Sequence, residues 1–370
     1  MVEGIRKIQY RPKRGATAQT HYCSRTFENA IWHSAGVYEA LRPYRETLRP
    51  DLIIGHSGFG STLFLPELFP DTPILNYFEY YYRPHQSDMD FRPEWATPEM
   101  NFLRSRARNA MILLDLENCV AGYAPTQFQK RLFPKTYDSK IHVLHDGIDV
   151  GVWRRQENVE RTVGRHTFSP ETRIVTYVSR GFESMRGFDI FMRAAKRIYE
   201  KCPDVVFLVV GSNRVCYGGD LNYIKEKTFL DHVLKQEDYD LRKILFLGRL
   251  PPKELARVLS LSDLHIYLTV PFVLSWSLLN AMACGCVVLG SNTAPVTEFI
   301  QHGKNGLLCD FFDADGIAAA AEAVLRDPRA YRRLGDAAAE RIKCDYSLEQ
   351  ILPRLVDLYT AVAAGRTIAT

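Results

Sequence analysis

Apolar strand-like runs and amphipathic helical segments alternate along this chain in two blocks. A charged stretch without apolar periodicity, 151–172, separates them. Strands alternating with helices imply βαβ units and mostly parallel sheets. The predicted class is therefore α/β, with two Rossmann-like domains facing across a cleft. The first spans 1–150, the stretch 151–172 is the linker, the second spans 173–346, and a last helical segment fills 347–370. In such folds ligands sit beyond the C-terminal ends of the strands, so the residues that follow each strand are the candidates for chemistry.

The elements follow in order. GIRKIQY reads as a strand and RPKRGATAQT as a loop. CSRTFENAIWHSAGVYEALRPY puts Phe27, Ile31, Ala35, Tyr38 and Leu41 on one face of a helix. DLIIG is a buried strand that ends in a loop with His56, Gly58 and Gly60. PILNYFEYYYRP is a strand with an aromatic end, 97–118 is helical, CVAGYAPT is a short strand before a helix at Gln127, and KIHVLHDGID is another strand. After the linker come the strands RIVTYVSRG, VVFLVVGS, KILFLGRL and LHIYLT, with the helices FDIFMRAAKRIYEKCP and PKELARVLSLSD between them. CVVLG and GLLCDFF are the last strands, two Ala-rich helices fill 315–343, and SLEQ at 347–350 is a capping box for the final helix.

Composition narrows the function classes. Hydrophobic content of 46% and charged content of 24% suit an ordinary globular chain. The net charge of +4 is mild, and RPKR at 11–14 is too short a basic run to argue for nucleic acid. No run approaches the ~18 apolar residues of a membrane span, and no signal peptide is read. The eight cysteines are scattered, often within apolar segments, and read as free, buried thiols of a cytoplasmic protein. Cys284 and Cys286 lack zinc or redox spacing.

The richest stretch is PFVLSWSLLNAMACGCVVLG, 271–290. A loop runs into a helix that Ser275 or Ser277 can cap and that Gly285 can end. A helix N-terminus at a sheet edge is an anion site, or simply one more core helix. Arg180 and Arg186 follow the strand Ile174–Ser179 beside Gly181 and Gly187, and two guanidiniums there suit a diphosphate. Gly211, Gly248 and the loop Arg249-Leu250-Pro251 end two more strands, with Tyr217, Gly218 and Gly219 in a loop near the same edge. In the first block His56 and Gly58 end one strand and Glu79 lies in the aromatic end of the next. His56 can bond a sugar hydroxyl or a phosphate, or be structural; Tyr80, Tyr81 and Tyr82 can stack on a substrate ring or build a core.

Together these segments resemble the family-4 retaining glycosyltransferases of the GT-B fold, from about residue 50 onward. The likeness rests on VSRGFESMRGFDIF, FLVVGS, ILFLGRLPPKELARVLSLSD, YLTVPFVLSWSLLNAMACGCVVLGSN and EFIQHGKNGLL, with GYAPTQFQKRLFP and IHVLHDGIDV before the linker. The resemblance implies that the second domain binds a nucleotide sugar, the first binds the acceptor, and the final helix crosses back to the first domain. It implies Arg180 and Arg186 as the pair that neutralises the leaving diphosphate, with His56 in the catalytic set. Phe272, Val273, Leu274, Ser275, Trp276, Ser277 and Asn280 become donor-binding, with Gly181, Gly211, Arg249 and Leu250. Gly58, Glu79 and Tyr81 become the acceptor side.

Two departures stand out. The family's pair of glutamates falls on Phe272 and Asn280, and the family's opening strand with a Gly-rich loop is not found before residue 50. No cofactor and no metal are expected, since no His/Cys cluster with ligand spacing is present. Expected partners are a nucleotide sugar and a glycan, lipid-linked or small-molecule acceptor, without nucleic acid and with at most peripheral contact with a membrane. Two other readings compete. One is a glycosyltransferase-like binding protein that has lost turnover. The other is an NAD enzyme, which GHSGFG disfavours because its glycines miss the G-x-G-x-x-G spacing.

Overall fold

The computed structural model describes residues 4–95 and 97–366 of the 370-residue chain. The chain divides into two compact units, Met1–Asp146 with Leu352–Thr370, and Gly147–Ile351.

The first unit contains α1 (Arg25–Leu41), β1 (Ile53–His56), β2 (Ile74–Tyr77), α2 (Glu99–Arg108), α3 (Ala110–Asn118), β3 (Ala121–Ala124), α4 (Gln127–Leu132) and β4 (Ile141–Val143). The four strands are parallel, in the order β1-β2-β3-β4, so the sheet grows in one direction with β1 at its edge. GIRKIQY, expected as a strand, has no regular structure, and Ile5 is exposed. The single helix expected over 97–118 is two, which meet at Asn109. Its side chain is drawn out of the helix by two bonds with the Tyr82 backbone. On α1 the fully buried residues are Ala30, Ser34 and Gly36, not the bulkier residues of the expected face. The loop after β1 comes close here: Ser34 Oγ donates to the Gly60 carbonyl at 2.7 Å. Gly60 has φ +79°, and a β-carbon on it would lie 2.4 Å from the Ala30 oxygen, so only glycine fits.

That loop hangs on one carboxylate. Asp115, on α3, is buried and accepts from Ser57 Oγ at 2.9 Å, Gly58 N at 2.8 Å and Thr62 Oγ1 at 3.3 Å. Leu65, Phe69, Ile74, Phe78, Ile112, Leu116 and Phe133 pack around it as the core of the unit.

The second unit opens with a small antiparallel pair, β5 (Thr162–Val163) and β6 (His166–Thr167). The segment expected as a linker is thus part of this unit. Val163 is buried, and Trp153, Val159 and Phe168 pack against the core. These apolar residues are too widely spaced to make a periodic signal. Then follow β7 (Arg173–Gly181), α5 (Phe188–Lys201), β8 (Val205–Ser212), α6 (Phe229–Leu234), β9 (Ile244–Gly248), α7 (Pro252–Ser260), β10 (Leu264–Tyr267), α8 (Trp276–Ala283), β11 (Val288–Ser291), α9 (Ala294–Thr297), β12 (Leu307–Cys309), α10 (Ala314–Arg326) and α11 (Pro328–Arg341). The six strands β7 to β12 are parallel, in the order β12-β11-β10-β7-β8-β9. The chain starts at the middle strand, builds outward to β9, then returns to β10 and builds the other way. β7 and β10 are therefore neighbours from which successive connections diverge, the switch point at which doubly wound sheets bind ligands.

A π-helical turn, Ile342–Tyr346, leads into α12 (Leu348–Ala363). The expected capping box does not form. Ser347 is held by a bridge to Ile148, its hydroxyl is buried without a partner, and Gln350 N bonds the Ser347 carbonyl instead. From Leu352 the helix groups with the first unit, where Tyr359 OH meets Tyr123 OH at 3.0 Å. No described helix is long and apolar enough to cross a membrane.

Asp115→Ala tests the first unit's main polar tether. It leaves buried donors without an acceptor, at a cost on the order of 3 kcal/mol. The urea midpoint of the first unit is expected to fall, with loss of amide protection at 57–62 and unchanged protection in β7 and β8. Full protection of the Gly58 amide in the variant would rule the tether out.

Candidate functional site

The site is built from the end of β7. Its last residues, Arg180 and Gly181, lead into a turn that ends at Gly187, left-handed at φ +61°. A β-carbon on Gly187 would lie 2.7 Å from Leu268 Cβ, so the glycine lets the turn seat against the strand end of β10. Within the turn Arg186 is buried, 5% exposed. Its Nη1 donates to Thr269 Oγ1 at 2.7 Å, and its carbonyl accepts from Tyr177 OH at 2.8 Å. Thr269, just beyond β10, is fixed in turn by Ser291 and Thr293. Arg186 is thus clamped at the switch point from both neighbouring strands.

Arg180 is exposed and donates to Tyr217 OH at 3.2 Å. The Tyr217 ring also lies 5.4 Å from the Arg186 guanidinium and 5.5 Å from the Phe272 ring. The expected pair of arginines is therefore brought together around one tyrosine. Its position depends on a residue that sequence reasoning missed. Glu183 is fully buried, and its Oε2 accepts from the backbone N–H groups of Cys216 and Tyr217, while its Oε1 has no partner. Asp220 holds the same turn by accepting from Ser184 N at 2.8 Å and Ser184 Oγ at 2.6 Å. A lone glutamate in a polar loop gives no sequence signal of burial; the bond that matters spans more than thirty residues. Burial pushes the Glu183 carboxyl up to about 7, against the two N–H bonds and Arg186, which pull it down.

The α8 N-terminus lies beyond β10. Ser275 is the cap, accepting from Ser277 N at 3.3 Å. Ser275 N bonds Tyr267 OH, and Ser277 Oγ bonds the Val178 carbonyl, so both serines are committed within the unit. Both hydroxyls hold the loop. The N–H groups of Val273, Leu274 and Trp276 have no acceptor among the described residues. Leu274 is buried and Trp276 is 61% exposed. Asn280, half-buried on α8, makes no side-chain hydrogen bond among the described residues. Phe272 packs toward Tyr217 and Arg186.

The remaining donor-side candidates divide. Gly211 closes on the Ser179 carbonyl, where a β-carbon would lie 2.5 Å away, and Gly181 does the same against Arg214. Both glycines serve close packing of loops around the switch point. Arg249 is exposed after β9, whereas Leu250 packs against the core.

In the first unit His56 Nε2 lies 3.6 Å from Glu79 Oε2, with both side chains about half exposed. The His56 ring meets Phe59 and Tyr77, each 5.0 Å away. Gly58, at φ +89°, gives its N–H to Asp115 and is thus a structural donor. Tyr81 belongs to the core side of its segment: its ring packs 5.4 Å from Phe133 and carries Arg83 on its face.

All eight cysteines are free, but only Cys119, Cys284 and Cys286 are fully buried, and Cys344 is exposed. Asp-x-Asp triplets stand at 88–90, 238–240 and 313–315. Five of their six aspartates are engaged elsewhere: Asp88 with Tyr80, Asp90 with the Gln86 and Ser87 amides, Asp240 with Arg242, Asp313 as the α10 cap, and Asp315 with Arg197. No group of three potential ligands gathers among the described residues.

Glu183→Gln keeps an acceptor for Cys216 and Tyr217 but cannot ionise. The folded carboxyl, at about 7, holds its proton more tightly than in the unfolded chain, where the ordinary value is about 4.5. Its contribution to stability is whole below about 4.5, declines as the pH rises and is lost above about 7. The variant is expected to melt higher than wild type at pH 8, by an amount equivalent to roughly 3 kcal/mol, and to lose that advantage near pH 4.5. Parallel melting curves across that range would show that the buried carboxyl does not titrate as described.

Comparison with known proteins adds the family. The profile for "Glycosyl transferase family 4 group" matches residues 1–152, and that for "Glycosyl transferases group 1" matches 159–341. N-acetyl-alpha-D-glucosaminyl L-malate synthase of Bacillus anthracis is 27% identical over 59% of this chain and 53% of its own length. Spore coat protein SA of Bacillus subtilis (strain 168) is 24% identical over 60% of this chain and 59% of its own. The chain spans little more than half the length of these curated relatives. Among solved structures, sucrose-phosphate synthase from Thermosynechococcus elongatus aligns over 97% of this chain and 83% of its own, with a TM-score of 0.75 and 18% identity. Anabaena HepE in complex with UDP aligns over 88% and 82%, with a TM-score of 0.68 and 16% identity. At such identities the structural likeness speaks for the fold alone. With a glycosyltransferase profile on each half and a fold shared with these enzymes, the chain belongs to the family-4 glycosyltransferases of the GT-B fold.

Proposed function

We propose that this chain transfers a sugar from a nucleoside-diphosphate sugar to a hydroxyl acceptor, with retention of configuration and without a metal. The observation that carries the reading is Arg186, buried and clamped to Thr269 at the switch point, with Arg180 beside it through Tyr217. Fixed guanidiniums at this place suit a diphosphate, whose negative charge grows as it leaves. The N–H groups of Val273, Leu274 and Trp276 add donors that need no reorganisation. HepE, solved with UDP and with UDP-glucose, supports a uridine nucleotide as the first donor to try.

The mechanism follows from the charges. The bond between the anomeric carbon and the phosphate oxygen loosens first, and its electron pair goes to the diphosphate, held by Arg180 and Arg186. The acceptor hydroxyl attacks the same face of the sugar, and its proton passes to the departing phosphate oxygen. No enzyme nucleophile takes part. Phe272 stands where the family places a glutamate, in accord with a route that uses no carboxylate there.

Phe272 and Asn280 also favour a second reading, a nucleotide-sugar-binding protein with impaired turnover. Turnover of a native donor, followed as nucleoside diphosphate release with and without acceptor, separates the two.

Arg180→Ala and Arg186→Ala are each expected to weaken nucleoside-diphosphate binding by roughly ten- to a hundredfold, the worth of a charge-assisted bond. Nucleoside binding should change little. Calorimetry with UDP and uridine checks this, with Arg186→Lys as a variant that keeps the buried charge. Unchanged UDP affinity in both alanine variants refutes the assignment.

Activity is expected to survive EDTA, because the arginines and backbone donors do the work of a cation. Complete loss, restored by manganese or magnesium, would overturn the metal-free mechanism.

A further inference from the structure

The first unit holds a basic and aromatic cluster around two arginines of α2. Arg104 and Arg108 are four residues apart on α2 and share one face. Arg104 Nη1 donates to Tyr22 OH at 3.3 Å, with its guanidinium 4.8 Å from the Tyr22 ring centroid. Arg108 Nη2 donates to Tyr82 OH at 2.6 Å, with its guanidinium 3.6 Å from the Tyr82 ring centroid. Both tyrosines are themselves fixed. Tyr22 OH donates to Asn101 Oδ1 at 2.7 Å, and the Tyr82 backbone is bonded on both sides by the Asn109 amide.

Neither arginine forms an ion pair among the described residues. The carboxylate that acts on Arg108 is Asp88, which is itself committed to Tyr80 OH at 2.7 Å and is raised by burial. Arg108 is lowered by burial, with repulsion from Arg104 adding to it. The Nε groups of both arginines are buried without an acceptor. Arg104 Nη2 and Arg108 Nη1 bond no protein group, yet they are not closed off from solvent. Two half-buried cations held side by side on rigid rings are unfavourable unless an anion joins them.

We propose that Arg104 and Arg108, seated on Tyr22 and Tyr82, form a binding site for a phosphate group, and that this group belongs to the acceptor. The second clause rests on the glycosyltransferase reading; the first does not. Each guanidinium has one Nη left over, so neither can grip a planar carboxylate as a fork by itself, whereas a tetrahedral phosphate presents oxygens to both at once. A phosphate monoester near −2 also matches the two positive charges.

The test is a calorimetric titration of the full chain with inorganic phosphate, in a background that carries Arg180→Ala and Arg186→Ala so that the donor site is silent. Saturable binding is expected, weakened roughly ten- to a hundredfold by Arg104→Gln or by Arg108→Gln and largely kept by Arg104→Lys and Arg108→Lys. Acetate is expected to bind more weakly than phosphate. Wild-type crystals soaked in tungstate supply a measurement independent of variant folding, with anomalous density expected between the two guanidiniums. No saturable phosphate binding, undiminished affinity in both glutamine variants, acetate binding as tight as phosphate, or tungstate density absent from the pair would each overturn the proposal. None of these readouts involves sugar transfer, so their failure leaves the donor assay to judge the enzyme reading separately.

Discussion

A parallel sheet that begins at an interior strand has to grow outward, return and grow the other way. The second unit is governed by that constraint. Right-handed crossovers place successive helices on opposite faces once the direction reverses, so the connections leaving β7 and β10 diverge. The crevice this leaves is why the turn after β7 and the loop after β10 become neighbours. Three contacts join the two: Arg186 on Thr269, Val270 N on the Met185 carbonyl, and Gly187 seated against Leu268.

Within that crevice the charges are arranged in an uncommon way. Arg186 is buried, yet the group it donates to is a threonine hydroxyl, and the nearby rings are Tyr217 and Phe272. The buried carboxylate of the turn, Glu183, directs its bonds to backbone amides. A carboxylate in place of Phe272 would pair with the guanidinium and compete with an incoming anion. The aromatic ring, 6.0 Å from the guanidinium, forms no ion pair with it.

The first unit repeats the theme with other residues. Asp115 collects the donors of the loop after β1, and Asn109 fixes Tyr82 between two helices. In both places a buried polar side chain is spent on holding backbone, and the groups left over are cations and aromatic rings at the edge of the fold. His56 with Glu79 and Arg104 with Arg108 are what those frames present outward.

The order of strands and helices was legible from about residue 50 onward because buried strands are continuous apolar runs and helices carry a periodic face. VVFLVVGS and FDIFMRAAKRIYEKCP are clear examples, and so is the placement of the two arginines at a strand end, although Arg180 belongs to β7 itself and only Arg186 lies beyond it. The chain by itself also determined a capped helix start at Ser275 or Ser277, of which the structure uses Ser275, and the left-handed residue at Gly285, since both depend on near neighbours. It did not determine what depends on distant partners. The burial of Glu183, the hold of Asp115 on Gly58 and the sharing of Tyr217 by two arginines each join residues more than thirty positions apart. The packing of 151–172 against the core and the failure of the SLEQ box are decided by groups that the local sequence does not contain. Local patterns report the period and caps of an element, because those arise within a turn or two of backbone. Which polar group meets which across the fold is set by strand order, and strand order exists only once the sheet has formed.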